Sequence, residues 1–299
     1  LFAMGYLVKH ATALERLAET TRIVFDKTGT LSEPYINVPD TMSCDARAVA
    51  KALAQTSNHP MSRILVVALD DVEAAQVKDI SETAGHGVSG EWQGQTVRLG
   101  RGAWLGAPFV GLGLKIGNSD AEAFDAIEVP RKGAKEAVKS LTLPAEIITG
   151  DTEQPAQIFA KSLGLPVTAN VRADEKLRLL QAMSDQSDRV LMVGDGLNDT
   201  AALAAAHASM APASALDASR SASDLVILTD SFAELPLVLK IAGLCSRLSK
   251  QNFAIAALYN CIAIPIALAG LATPLAAALA MSASSITVLL NSQRIRYAK

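Results

Sequence analysis

Aromatic residues are scarce. Phe, Trp and Tyr together make up 4% of the 299 residues, so a core must be built mainly from Ala, Leu and Val. Cysteine is scarcer still. The three residues Cys44, Cys245 and Cys261 are too few and too widely spaced for a disulfide framework, and they suit a reducing compartment. Neither sign of charge dominates. The balance of 27 Lys+Arg against 30 Asp+Glu gives a net charge of −3, which excludes a strongly basic nucleic-acid binder, so no nucleic acid is expected as a partner. Disorder is excluded as well, because hydrophobic residues reach 50% and charged residues only 19%. The start has no Met, charged n-region or cleavage site, so it is not a signal peptide. Leu1 reads as a start whose upstream part has been lost.

What is present is concentrated near the end. FAIAALYNCIAIPIALAGLA (253–272) has no charge in twenty residues. After Thr273-Pro274, LAAALAMSASSITVLL (275–290) is also uncharged. A bilayer crossing takes about 20 apolar residues, and a soluble amphipathic helix would show a polar stripe. The two runs therefore read as a transmembrane hairpin, with helices at about 253–272 and 275–291. Lys240, Arg247 and Lys250 precede it, and Arg294, Arg296 and Lys299 follow it. The positive-inside rule puts both ends, and everything before Lys250, in the cytoplasm. LFAMGYLV (1–8) is apolar but too short to span, and reads as the exit of a truncated membrane helix.

The remaining stretch alternates strand and helix signals. Short apolar runs at 22–26, 145–149, 189–195 and 224–228 read as strands. Helical patterns fall at 133–141, 154–163, 175–184 and 198–206. This order predicts an α/β fold with a parallel sheet and crossover helices. About 120 residues separate the first two strands, far too many for a crossover. A second domain is therefore expected between them. The expected division is a linker at 1–20, first-domain parts at 21–33 and 125–238, an inserted domain at 34–124, and the membrane part at 239–299.

Three strand ends carry chemistry. Asp26-Lys27-Thr28-Gly29-Thr30 closes the first strand, where open α/β sheets gather reacting groups. A carboxylate there can accept a phosphoryl group, and Gly29 allows a sharp turn with backbone N–H groups facing the phosphate. Thr149-Gly150-Asp151 closes the second and offers a hydroxyl for a phosphate oxygen. Lys176 supplies a cation for the group in transfer. Gly194-Asp195-Gly196-Leu197-Asn198-Asp199 closes the third, with two carboxylates able to hold Mg²⁺. Either of those two alone could be a helix cap; the combination points to phosphoryl transfer.

DKTGT, TGD and GDGLNDTAAL, in that order, resemble the phosphorylation-domain motifs of P-type ATPases within the haloacid-dehalogenase superfamily. The resemblance covers essentially the whole chain and implies the C-terminal part of a heavy-metal pump. It implies a Rossmann-like phosphorylation domain, an inserted α+β nucleotide-binding domain and a two-helix membrane hairpin. It further implies phosphorylation of Asp26 by ATP, with Lys27, Thr28, Thr149, Lys176 and Asp199 in the catalytic set. Mg²⁺ would be held by Asp195, the Asp26 carboxylate and a backbone carbonyl near Thr28. Related phosphatases carry a second Asp two positions after the nucleophile. Thr28 stands there and cannot activate water, so the acyl phosphate should persist. A membrane-anchored phosphatase and a non-catalytic nucleotide-binding fragment are the alternatives.

Within the inserted domain, Asn58-His59-Pro60 resembles the His-Pro motif of heavy-metal pumps, where the His orients adenine. GHGVSG (85–90) fits GxGxxG, but with no clear strand before it and no helix after it, it is not a dinucleotide fingerprint. The nucleotide set implied is His59, Gly85, Gly87, Gly100, Gly150 and Asp151. Three positions depart from the family pattern: Ala54 replaces an acid five before the His, Arg101 replaces the Asn of Gly-Asn, and Glu128 replaces an Asp. In the membrane runs, Tyr259, Asn260, Met281 and Ser285 resemble the copper-transporting branch. A thioether is a soft ligand that favours Cu(I), although Ser284 and Ser285 can equally serve helix packing. The implied partners are ATP, copper(I), the lipid bilayer and a missing N-terminal part with an actuator domain and upstream membrane helices. The implied location is a bacterial inner membrane. No Cys-Pro-Cys motif is present, so this chain alone should not transport.

Overall fold

A computed structural model describes residues 1–10, 12–195, 199–215 and 217–297. Gly196, Leu197 and Asn198 of the third motif, and Lys299, lie outside them. The chain forms two compact units, Leu1–Ser32 with Pro130–Lys299, and Glu33–Val129.

The first unit begins with β1 (Tyr6–Val8), α1 (Ala13–Ala18) and β2 (Arg22–Phe25). The chain leaves it along β3 (Ser32–Asn37). The second unit then contributes α2 (Cys44–Gln55), α3 (Pro60–Ala68), β4 (Lys78–Thr83), β5 (Gly87–Trp92), β6 (Gln95–Arg101), α4 (Gly102–Leu105), β7 (Leu112–Ile116) and β8 (Glu122–Ala123). The return strand β9 (Asp125–Pro130) pairs with β3. The first unit resumes with α5 (Ala134–Ser140), β10 (Ala145–Ile148), α6 (Glu153–Leu163), β11 (Val167–Thr168), α7 (Ala173–Asp185) and β12 (Val190–Val193). It ends with α8 (Thr200–Ala205), β13 (Ala208–Pro212), α9 (Asp217–Ala222), β14 (Leu225–Ile227), α10 (Leu235–Leu268) and α11 (Pro274–Gln293).

In the first unit seven strands stand in the order β1-β14-β13-β12-β2-β10-β11. Side chains alternate across a strand, so the sheet has two faces to cover. Ile23, Phe25, Leu191 and Val193 enter one buried cluster with Phe159, Phe232 and Leu235. Their neighbours Val24, Val190 and Met192 enter another, with Leu180 and Leu203. The order places the reversal of winding at β2. After β2 the chain builds β10 and β11 on one side, then returns to β12 on the other. Clefts form at such a switch point, outside the carboxyl ends of the strands.

Two features differ from the sequence reading. The sheet is parallel as expected except at one edge, where β1 pairs antiparallel with β14. Tyr6–Val8 is thus an edge strand. Tyr6 is fully buried, and no three-residue strand has an apolar run long enough to announce itself. β13, which was not expected, is buried at every position. Its sequence ASMAP is poor in strand formers, and burial between β12 and β14 overrides that preference.

In the second unit, β4 to β8 form an antiparallel sheet in sequential order. On α2, Ala46, Val49, Ala50, Leu53 and Ala54 repeat at helical spacing, and all are buried. They pack with Leu65, Val97 and Leu99 as the core of this unit. Ser43 caps α2 by accepting from the Ala46 N–H at 3.1 Å.

α10 and α11 are each long and apolar enough to cross a membrane. The first part of α10 buries Leu235, Val238, Ala242 and Leu248. Beyond Leu248 its surface is largely exposed. α10 ends at Leu268, short of the end of the apolar run. Gly270 turns at φ +73°, and Thr273 caps α11 by accepting from the Ala276 N–H at 3.2 Å. At the opposite end Asn291 donates to Asn252 Oδ1 at 2.9 Å, and Asn252 donates to Ser292 Oγ at 2.9 Å.

Candidate active site

Asp26 follows β2 directly, and its N–H donates to the Val193 carbonyl at 2.8 Å. This bond fixes the nucleophile's backbone between the ends of β2 and β12. The chain then turns. Gly29 adopts φ +70°, a conformation that costs an L-residue about 1–2 kcal/mol. Space excludes a side chain there too, since a Cβ would lie 2.2 Å from Asp195 Oδ2. The turn is clamped from outside. Arg131 donates from its guanidinium to the Gly29 carbonyl at 2.8 Å, and its N–H donates to the Leu31 carbonyl at 2.7 Å. Sequence reasoning passed over Arg131. No local signal marks it: Arg131 is buried, and its partner Gly29 lies 102 residues away.

A cavity of about 480 Å³ opens at these strand ends. Asp26, Thr28, Thr149, Lys176, Asp195 and Asp199 line it, together with Gly150, Asp151 and Arg172. Lys176 sits in the first turn of α7 and is 4% exposed. Its ammonium donates to Asp26 Oδ1 and, at 2.8 Å, to Asp199 Oδ1. Burial works against the lysine's charge, but the two carboxylates outweigh it and raise its pKa. Burial pushes the Asp26 carboxyl up to about 7. Lys176 opposes that rise, and the negative charges of Asp199 and Asp195 add to it. Thr149 is buried, and its Oγ1 accepts from the Asp151 N–H at 3.2 Å, which leaves its own O–H to donate into the cavity.

Lys27 does not point into this space. It is buried, it pairs with Asp151 Oδ2 at 2.5 Å, and it lies over the Phe159 ring at 5.4 Å from the centroid. Lys27 and Asp151 thus brace the cavity wall. Arg172 was missed by the sequence reading. It caps α7, where Glu175 accepts from its N–H at 2.9 Å, and it adds a second cation to the rim.

Oxygen atoms of Asp26, Asp195 and Asp199 lie within 4.8 Å of one another. A set of carboxylate oxygens without nitrogen or sulfur suits a hard divalent cation such as Mg²⁺. Lys176 engages Oδ1 of both Asp26 and Asp199, so the three carboxylates together are the candidate set for the ion.

The second unit holds a separate cavity of about 320 Å³. His59, Met61, Glu82, Val88, Leu99 and Leu112 line it, with Gly85, Gly87, Gly100 and Arg101. His59 also caps α3, since its Nδ1 accepts from the Met61 N–H at 3.2 Å. That bond leaves the proton on Nε2. β4 leads into the glycine loop and β5 leaves it, so the loop is a hairpin turn rather than a strand–helix junction. Two of its glycines serve the sheet itself. A Cβ on Gly87 would meet the Leu99 carbonyl at 2.2 Å, and one on Gly100 would meet the His86 carbonyl at 2.5 Å. Gly85 turns at φ +76° with open space around it. Ala54 is 1% exposed in the core of this unit and lines no part of the cavity. Glu128 is exposed on β9.

The four membrane candidates are not gathered into a site. Asn260, Met281 and Ser285 are exposed and Tyr259 is half-buried. The Ser285 hydroxyl donates to the Met281 carbonyl at 3.0 Å within α11. Among the described residues no hydrogen bond joins the α10 pair to the α11 pair.

The sequence profile of a family described as haloacid dehalogenase-like hydrolase matches residues 20–207. The nitrogen fixation protein FixI of Rhizobium leguminosarum bv. viciae is 40% identical over 314 residues, covering 99% of this chain and 41% of its own. A copper-exporting P-type ATPase of Mycobacterium tuberculosis is 30% identical over 320 residues, covering 98% of this chain and 42% of its own. The chain thus spans about two-fifths of the length of these curated relatives. A crystal structure of a zinc-transporting PIB-type ATPase superposes with a TM-score of 0.76 at 23% identity, over 98% of this chain and 52% of that one. The catalytic domain of the CPx-ATPase CopB-B gives a TM-score of 0.56 at 26% identity, over 80% and 96%. With the profile spanning most of the chain and the strand-end carboxylates in place, the chain belongs to the haloacid dehalogenase-like hydrolase family, and the relatives that share its whole length include P-type ATPases.

Proposed function

We propose that this chain is the phosphorylated part of a pump that exports copper(I) across a bacterial inner membrane at the expense of ATP. The observation that carries the reading is the pairing of Asp26 with Lys176 in a buried cavity that also holds Thr149 and Asp195. An Asp26 oxygen attacks the terminal phosphorus of ATP. The new O–P bond forms as the bond to the bridging oxygen breaks, and ADP leaves with the electron pair. Lys176 opposes the rise that burial imposes on the Asp26 carboxyl and neutralises negative charge on the phosphoryl oxygens. The Thr149 hydroxyl donates to one of those oxygens. Asp26 and Asp195 would hold Mg²⁺, which when bound draws negative charge off the phosphoryl group. Thr28 stands where a hydrolase of this superfamily would place its acid and base, so the acyl phosphate outlives the step that makes it.

Copper is supported by the 30% identity to a copper-exporting relative and by the thioether of Met281 within the second apolar helix. The zinc-transporting neighbour, at 23% identity, supports the fold and not the ion. The reading is tested on the full-length protein with γ-labelled ATP, Mg²⁺ and either Cu(I) or Zn²⁺. Acid-stable, hydroxylamine-labile label should appear with Cu(I), and Asp26→Asn should abolish it. Label that persists in that variant sinks the phosphoryl assignment. Label that depends on Zn²⁺ as strongly as on Cu(I) sinks the copper assignment alone.

A further inference from the structure

The two apolar helices carry a surplus of positive charge where their ends meet. From Leu235 to Lys299 the sequence has no Asp or Glu and six Lys or Arg, in a chain whose net charge is −3. Four of those cations stand close to the ends of the apolar runs, Arg247 and Lys250 before Phe253, and Arg294 and Arg296 after Leu290. All four are exposed. Hydrogen bonds bring the two ends to one level. Asn252 is joined to Asn291 and Ser292. Arg294 Nη1 donates to Asn291 Oδ1 at 3.1 Å and to Gln251 Oε1 at 3.3 Å. Both acceptors thus take the same nitrogen and hold the guanidinium across the two helices. Its Nε and Nη2 edge has no acceptor among the described residues, and that edge is the fork that meets two oxygens of a phosphate side by side.

We propose that these helix ends form a site for the headgroup of an anionic phospholipid in the cytoplasmic leaflet, with Arg294 on its phosphate. This rests on the reading of α10 and α11 as a membrane hairpin. Depth favours a lipid. At the rise of a helix, Lys250 stands about 4.5 Å outside the apolar run that starts at Phe253, and Arg294 about 6 Å outside the run that ends at Leu290. The headgroup layer on each side of a bilayer is about 5–7 Å thick, so both cations fall within the layer of lipid phosphates. A dissolved anion gains nothing from that depth, whereas a lipid phosphate is held there by its own acyl chains. Charge sets the class of lipid. A zwitterionic headgroup brings an ammonium with its phosphate, and that ammonium would sit among cations with no carboxylate to receive it. Along α10 the first acid is Glu234, at the far start of the helix and about 24 Å before Lys250. A headgroup with a phosphodiester and no ammonium, such as phosphatidylglycerol, meets only donors.

The test is native mass spectrometry of the full-length protein in detergent, titrated with dioleoylphosphatidylglycerol or dioleoylphosphatidylcholine, which counts lipids as they bind one at a time. The first phosphatidylglycerol should bind more tightly than the first phosphatidylcholine. Arg294→Gln should weaken phosphatidylglycerol by about fivefold, the effect of one cation at an anionic surface, and leave phosphatidylcholine unchanged. Arg178→Gln, which removes the same charge from α7, should change neither. Glycerophosphoglycerol, the same headgroup without acyl chains, should not displace the lipid at equal concentration. Circular dichroism confirms that each variant is folded. A preference for phosphatidylglycerol that survives Arg294→Gln, or that falls equally with Arg178→Gln, overturns the site. Displacement by glycerophosphoglycerol overturns the lipid as its occupant. In native membranes, labelling of Cys261 by a membrane-impermeant maleimide as fast as that of the exposed Cys44 overturns the hairpin reading, and this proposal with it.

Discussion

The cavity at Asp26 and the cavity at His59 are of comparable size, about 480 and 320 Å³, yet they are built on different terms. At Asp26 eight of the eleven lining residues are charged or hydroxylic, and several are held by partners. Lys176 spans Asp26 and Asp199, Lys27 holds Asp151, and Arg131 holds the turn at Gly29. At His59 the walls include Met61, Val88, Leu99 and Leu112, and Ser57 holds Glu82 among the polar lining residues. The first cavity must stabilise charge as it moves, so its groups need fixed positions before reaction. On the proposed reading the second has only to hold a flat base, and apolar contact with few polar groups does that. Removing one group should therefore cost much in the first cavity and little in the second.

The largest effect is expected at Lys176. Lys176→Met leaves Asp26 and Asp199 buried without their cation, and should slow phosphorylation by about 10²–10³-fold. Rapid-quench measurement of label formation checks it. A loss under tenfold would mean that the charges in this cavity are not organised around Lys176. Gly29→Ala comes next. A methyl group 2.2 Å from Asp195 Oδ2 must displace that carboxylate, and the half-saturating Mg²⁺ concentration should rise by about 10–100-fold. Mg²⁺ titration of phosphorylation reads this directly, and an unchanged Mg²⁺ requirement would remove Asp195 from the ion's ligands.

These two positions also show what a reader of the sequence alone could recover. Asp26, Thr149, Lys176 and Asp195 were legible, because each follows a short apolar strand or opens a helix at a motif of fixed spacing. That Lys27 turns away to Asp151 was not, since five consecutive motif residues carry no direction. Arg131 was invisible for the same reason that β13 was. Its role comes from a long-range contact with Gly29, 102 residues away, just as ASMAP becomes a strand only between two others. Nothing local revealed that Ser57 and Glu82 meet, because the loop before α3 and β4 are 25 residues apart.

The second cavity should respond more mildly. His59→Gln should reduce ATP-driven label formation at low ATP by no more than about tenfold, the scale of one aromatic contact. With acetyl phosphate, a small phosphoryl donor that has no base to hold, the same variant should react as the unaltered protein does. An equal loss with both donors would break the division of labour between the cavities. The smallest effect is structural. Arg131→Met removes a charged hydrogen bond worth about 1.5–3 kcal/mol, which should lower the melting temperature by roughly 5 °C. An unaltered melting curve would mean that the turn at Gly29 holds itself.

The central claim is that Asp26 is the residue that takes the phosphoryl group. Borohydride cleaves an acyl phosphate and reduces its carbonyl to an alcohol, so an aspartyl phosphate becomes homoserine. The full-length protein would be phosphorylated with ATP and Mg²⁺, reduced with borohydride, digested and analysed by mass spectrometry. Homoserine is predicted at position 26, dependent on ATP and absent when Mg²⁺ is chelated. Homoserine at Asp195 or Asp199 instead, or none at position 26 under conditions in which ATP is consumed, would contradict it.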